Sequence, residues 1–149
     1  VPRTVVLLND HLTAIVTRLT STMTALASPV YVGYGERPVN PATKQHYPPP
    51  YLVVSYLPGG TLDGSLSDSQ ADVAIRILIN SMGNSAQEAT IVRDIAHADM
   101  MDKSNFTITN RKIRNLSLEI PSDGTYRDDD APTPIFYTRQ IYILDTTPT

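Results

Sequence analysis

The chain has 149 residues, 41% hydrophobic and 18% charged, enough for one domain with its own core and with charge below the usual quarter. A formal net charge of −3 and no cysteine exclude a protein that grips nucleic acid by neutralising phosphates, as well as a disulfide framework, a thiolate metal site and a cysteine nucleophile. No apolar run reaches the roughly 18 residues of a spanning helix and no basic-then-apolar leader opens the sequence, so the expectation is an intracellular product with no membrane partner.

Near the start, Leu8, Leu12, Ile15, Leu19, Met23 and Leu26 recur at intervals of three and four, which predicts an amphipathic helix over 4–27. Its other face carries Thr13, Thr17, Thr20, Thr22 and Thr24 where lysines and glutamates are usual, and threonine is a mediocre helix former. Two readings follow: a low-charge exposed face, or a face packed on a neighbouring chain, with Thr13, Thr17, Thr20 and Thr24 as candidate subunit-interface residues.

A short strand is predicted over 30–34, followed by an extended loop in RPVNPATKQHYPPP, whose prolines lack the N–H groups of a helix or central strand. YLVVSYL, 51–57, is apolar on both faces and reads as a central strand covered on both sides. PGGTLDGSLSDSQ reads as a second loop. Ala71, Val73, Ile75, Ile77 and Ile79 then alternate with Asp72, Arg76 and Asn80, the pattern of a half-buried antiparallel strand. Ser85 and Glu88 have the spacing of a capping box and predict a helix over 86–101 with Ile91, Val92, Ile95, Ala98 and Met101 facing the core. Residues 114–120 form another alternating strand, and 135–144 the last. Between them SDGTYRDDDAPTP reads as a mobile acidic loop on a long hairpin. The fold class is therefore α+β: a mixed, mostly antiparallel sheet with two amphipathic helices packed on it and a long hairpin near the C-terminus.

No constellation of catalytic groups emerges. In HADMMD, His97, Asp99 and Asp102 do not share one helix face and read as a solvated polar face rather than a metal cluster. His11 and His46 have no partner at motif spacing, there is no G-x-S-x-G elbow, and GYGERP and PGGTLDG read as turns rather than phosphate loops. RKIR, 111–114, is a polar lead-in to a strand or a contact for an acidic surface. No catalytic, cofactor-binding or metal-binding residues are assigned, no cofactor is expected, and a non-enzymatic role is favoured. The eight tyrosines in a chain without tryptophan and the need to cover sheet edges point toward docking and self-association.

YLVVSYL after a proline-rich loop, then ADVAIRILINSMGNSAQEATIVRDIAHAD, then a late two-strand hairpin, resembles the tail terminator (tail completion) proteins of long-tailed bacteriophages. The resemblance spans nearly the whole chain in element order, as one tail-terminator-like domain over 1–149, and rests on no catalytic motif. It implies a structural virion protein at the tail–neck junction, made in the host bacterial cytoplasm. Its partners would be itself, as a homo-hexameric ring, the tail tube protein, and the head–tail connector or stopper protein. Genome DNA would pass through the channel without specific binding. Within that picture Asp123, Arg127, Asp128, Asp129 and Asp130 form a candidate lumen or docking loop, whose negative charge would repel phosphates. The alternatives are an ordinary solvated loop at that point and, for the chain as a whole, another phage neck or tail-tube structural protein, a generic oligomeric binding module, or a small enzyme with an unrecognised site.

Overall fold

The computed structural model describes residues 8–62, 72–102, 107–108, 111–120, 124–130 and 133–148. The described elements run α1 (Leu8–Thr24), β1 (Tyr31–Tyr34), β2 (Tyr51–Leu62), β3 (Val73–Gly83), α2 (Ala86–Met100), β4 (Arg111–Ile120), β5 (Thr125–Asp128) and β6 (Ile135–Pro148). They form the α+β arrangement: one six-stranded sheet ordered β1-β2-β3-β6-β4, with β5 also pairing β6. Among the described residues only β1 and β2 run parallel; the other strand pairings are antiparallel.

Both helices lie on one face of the sheet. Leu12, Ile15, Leu19 and Met23 of α1 and Val92, Ala96 and Met100 of α2 share one buried cluster with Ile75, Ile77 and Ile79 of β3 and Tyr142 and Leu144 of β6. The two-residue period of β3 is visible directly in its burial, with Val73, Ile75, Ile77 and Ile79 inside and the residues between them half-buried, because successive side chains of a strand leave opposite faces.

β3 ends at Gly83 and α2 begins at Ala86. Ser85 caps the helix, its Oγ accepting from the Glu88 N–H at 3.1 Å. The Glu88 carboxylate reaches back to the Asn84 N–H at 2.9 Å, one residue earlier than in a standard capping box. The turn is tight enough that a Cβ on Gly83 would stand 2.6 Å from the Ala89 nitrogen.

Several elements differ from their sequence reading. β2 continues through the predicted loop as far as Leu62, with a register shift between Leu57 and Thr61; the irregularity admits the Pro-Gly-Gly that breaks the sequence pattern. Residues 63–70 of that loop, and Ala71 of the strand expected after it, lie outside the described residues. Both faces of β2 are buried from Tyr51 to Val54, but Tyr56 is exposed. α2 is turned partly away from its predicted face: Val92 is buried and Ile95 half-buried against the core as expected, but Ala89, Ala96, Asp99 and Met100 are buried as well, while Ile91, Ala98 and Met101 are exposed. Alanines let the helix sit close to the strands, and a hydrophobicity pattern undervalues them. The acidic loop is in part a strand, since β5 pairs Thr125–Asp128 with Ile135–Thr138. β4 and β5 thus lie in succession along the same edge of β6 and make one long interrupted hairpin with it.

Buried polar groups tie the layers together. Tyr142, fully buried, donates its phenol proton to Gln140 Oε1 at 3.0 Å, so His97 Nδ1, 2.8 Å away, carries the proton of that contact and donates to the phenol oxygen. Burial pushes the Tyr142 phenol above its ordinary range, opposed in part by Arg93. A raised phenol pKa leaves the folded protein holding a proton that the unfolded chain has lost, so stability falls as pH rises from the unfolded value of 10.0 toward the folded one, by up to about 1.4 kcal/mol per pH unit. Denaturant melts above pH 10 should show this decline. Tyr142→Phe should flatten it, leaving the share owed to Tyr51, which burial also raises.

Candidate assembly surfaces

Two surfaces carry the residues singled out from the sequence, and the fold adds a third. The first is the hairpin tip. Asp128 closes β5 opposite Ile135, and Asp128, Asp129 and Asp130 are all exposed. The Arg127 guanidinium pairs with Asp129, and the Asp130 N–H donates to Asp128 Oδ1 at 3.0 Å, the local side-chain turn that aspartate favours. Asp123 lies outside the described residues. The tip therefore gathers three carboxylates against one guanidinium, and its ion pair, with both partners more than half exposed, adds at most about 1 kcal/mol.

The second surface is the outer stripe of α1. Thr13 and Thr17 are exposed, and Thr20 and Thr24 are half-buried. Thr24 returns its hydroxyl to the Thr20 carbonyl at 2.6 Å. Thr13 and Thr17 line a shallow depression of about 490 Å³ with Asp10, Ala14, Arg18, Ser21 and Thr107. Thr20 instead faces β1 and the proline-rich loop. Under the stripe, Arg18 Nε meets Asp99 Oδ1 at 3.1 Å, which ties α1 to α2. Asp99 is only 7% exposed, so the polar run of HADMMD is not a solvated face throughout: His97 and Asp99 point into the fold. Among the described residues no group of three or more His, Asp or Glu side chains is placed to hold a metal ion.

The third surface was not legible as such in the sequence. It is the face of the sheet away from the helices. Strand register brings Val53 opposite Asn80, Leu78 opposite Ile141, Arg76 opposite Ile143 and Met82 opposite Tyr137, all on this open side. Toward the hairpin tip it deepens into a hollow of about 530 Å³ lined by Tyr51, Leu78, Asn80, Met82, Tyr137 and Arg139 among others. Asn80 Oδ1 is buried and accepts no hydrogen bond from the described residues. Burial raises the Tyr51 phenol above its usual range, with Arg37 opposing and Asp128 adding to the shift. Arg76 Nε and Glu119 Oε2 pair across the face at 2.8 Å. The signal that could have marked this face is the apolar content of both phases of β2 and of the phase of β6 that holds Ile141 and Ile143.

Tyrosines at the sheet margins are largely engaged within the chain. Tyr31 stacks on Tyr47 at 3.7 Å, and Tyr126 stacks on Tyr137 at 5.3 Å with the Arg139 guanidinium 4.9 Å from the Tyr126 ring centre. Tyr34 and Tyr56 remain exposed.

No family model matches the chain, and no curated protein matches it. Among solved structures it is similar in fold to a chain of the virion of a native gene transfer agent particle, at a TM-score of 0.54 and 14% identity, covering 91% of this chain and 93% of that one.

Proposed function

We propose that this chain is a structural subunit of a phage-like virion, one of six in a ring that ends the tail tube and offers a docking face to the head–tail connector or stopper. The observation that carries the reading is the fold likeness to a virion chain over more than nine-tenths of both molecules. The order of elements, similar to that of tail terminators, supports the finer assignment. The chain meets the tail tube protein on one side of the ring and the connector on the other, while DNA passes through without specific binding. The test is assembly: the purified chain should show a monomer–hexamer equilibrium by mass measurement and cap growing tail tubes in negative-stain images. A chain that stays monomeric even with tubes present would sink the proposal.

The acidic tip has a separate expected result. Replacing Asp128, Asp129 and Asp130 with asparagine keeps the turn chemistry and removes three charges from an exposed site, so the melting curve should shift little. If the tip lines the channel, assembly should persist and genome release should slow most at low salt, where screening is weakest. If the tip docks on the tube or connector, assembly itself should fail. Normal assembly with normal, salt-independent release would remove both roles from the tip.

A further inference from the structure

We infer that β4 carries a guard against edge-to-edge strand pairing, made of two inserted charged residues, Arg114 and Glu119, each turned back across the sheet into an ion pair on the β3 side. The guard acts whether or not the chain forms rings, and it belongs to the outer edge of the sheet rather than to its open face.

The sheet has one long edge. Among the described strands none lies beyond β4, so the outer side of its backbone presents N–H and C=O groups that another chain could pair. The edges at β1 and β5 are four residues each, short enough to offer little to a second strand, whereas β4 has ten.

Register shows how that edge is broken. Ile113 lies opposite Thr146 and Asn115 opposite Asp145; Leu118 lies opposite Tyr142 and Ile120 opposite Ile141. In each interval β4 sets two residues against one of β6, so Arg114 and Glu119 are the extra residues of two β-bulges. A bulge bends its strand, increases the twist and interrupts the ladder. An edge broken twice cannot lie flat against an incoming strand.

Without the two extra residues the stretch would read Ile113, Asn115, Leu116, Ser117, Leu118, Ile120. That is an uncharged segment with no proline or glycine, alternating as far as Leu118, and such segments stack readily into cross-β pairings. Both insertions are charged, and a charge placed inside such a window is an effective way to break it. The core side is untouched by them: Leu116 is buried, and Ile113 and Leu118 pack against the core.

The ion pairs hold the inserted residues in place. β6 lies between β3 and β4, and both pairs bridge it. Arg114 Nη1 donates to Asp72 Oδ2, beside the start of β3, at 3.0 Å, and Arg76 Nε of β3 donates to Glu119 Oε2 at 2.8 Å. With side chains between 25% and 53% exposed, such pairs add little to stability. Their contribution is position: each draws its bulge residue back over β6 and keeps the bulge from flattening.

The guard can be removed without altering the core. Deleting Arg114 and Glu119 takes out the two residues that have no partner on β6, so Ile113, Leu116 and Leu118 keep theirs. At low concentration the deletion variant should keep the far-ultraviolet spectrum and a cooperative melt. At higher concentration it should sediment as large species that bind thioflavin where the full chain does not, with β4 amides protected from hydrogen exchange in those species. A second variant, Arg114→Thr with Glu119→Thr, keeps the bulges and removes the charges. It should associate less than the deletion variant but more than the control Arg93→Thr, which breaks the Arg93–Asp94 pair on α2; if the deletion variant does not fold, this comparison decides alone. The inference is overturned if a folded deletion variant associates no more than the full chain, if the double threonine variant associates no more than the control, or if the associated species leave β4 amides exchanging freely. Rings of the full chain whose contacts protect the β4 edge would also overturn it while keeping the ring reading. A full chain that never forms rings would remove that reading and leave the guard.

Discussion

Leu19→Ala should cost about 2–5 kcal/mol of folding stability, the range for deleting a buried leucine whose surroundings relax only in part. Leu19 has no exposed surface, and Ile15 and Met23, one turn to either side on the same helix face, are as completely enclosed. The three belong to the buried cluster that α1 shares with α2 and the sheet, where close packing leaves a truncated side chain's volume only partly refilled. For a chain of this size the loss corresponds to roughly 2–4 °C in melting temperature per kcal/mol. Ile91→Ala is the matching control. A helical pattern places Ile91 in the core, but it is 51% exposed, and its removal should fall within about 0.5 kcal/mol of zero. Calorimetric melts of the two variants decide the matter: equal losses would mean that the face of α2 is misassigned.

Gly33→Ala should be comparably damaging for the opposite reason, too much volume rather than too little. A Cβ built on Gly33 would overlap the Glu36 carbonyl oxygen and lie 3.0 Å from the Pro38 ring. Backbone must therefore move, and the segment that moves is the return of the proline-rich loop onto β1. The Gly35 N–H bond to the Val54 carbonyl at 2.7 Å, the double donation of Arg37 to the Tyr47 carbonyl and the Tyr31–Tyr47 stack all depend on that return. A loss of about 1–3 kcal/mol is expected, together with faster hydrogen exchange at Gly35 and a changed near-ultraviolet tyrosine signal. An unchanged Gly35 exchange rate would show that the loop closes without the approach at Gly33.

These two residues mark how far the sequence could be read. α1 was legible because leucine, isoleucine and methionine at helical spacing are a strong signal; the structure buries Leu12, Ile15, Leu19 and Met23 of that row and half-buries Leu26, past the end of the helix. β3 was legible because its alternation is strict. The face of α2 was read only in part: Val92 and Ile95 pack in the core as expected, but Ala89 and Ala96 carry the close packing while Ile91 points outward. β5 was hidden because TYRD has no apolar alternation; pairing with β6 holds it, not its own composition. The requirement for glycine at position 33 left no trace in the sequence, since the clash involves a carbonyl three residues on whose position only the folded loop determines. Of the candidate site residues, the structure shows Thr13 and Thr17 exposed on α1, Thr20 and Thr24 half-buried, and Asp128, Asp129 and Asp130 as an exposed tip. The open sheet face stayed unseen because its residues are divided among β2, β3 and β6 and meet only through register.

The position of β6 has a consequence for synthesis. β6 pairs with β3 on one side and with β4 and β5 on the other, yet it is the last of the described elements to leave the ribosome. Until then β3 has an open edge and the core lacks Tyr142 and Leu144, so the nascent chain can form α1, α2 and the β1–β2–β3 portion without closing the sheet. Completion is therefore a late, long-range event, slow by the measure of sequence separation, and it leaves an unpaired strand exposed in the interval. The same ordering keeps the half of the open face contributed by Tyr137, Ile141 and Ile143 unavailable until translation has passed β6.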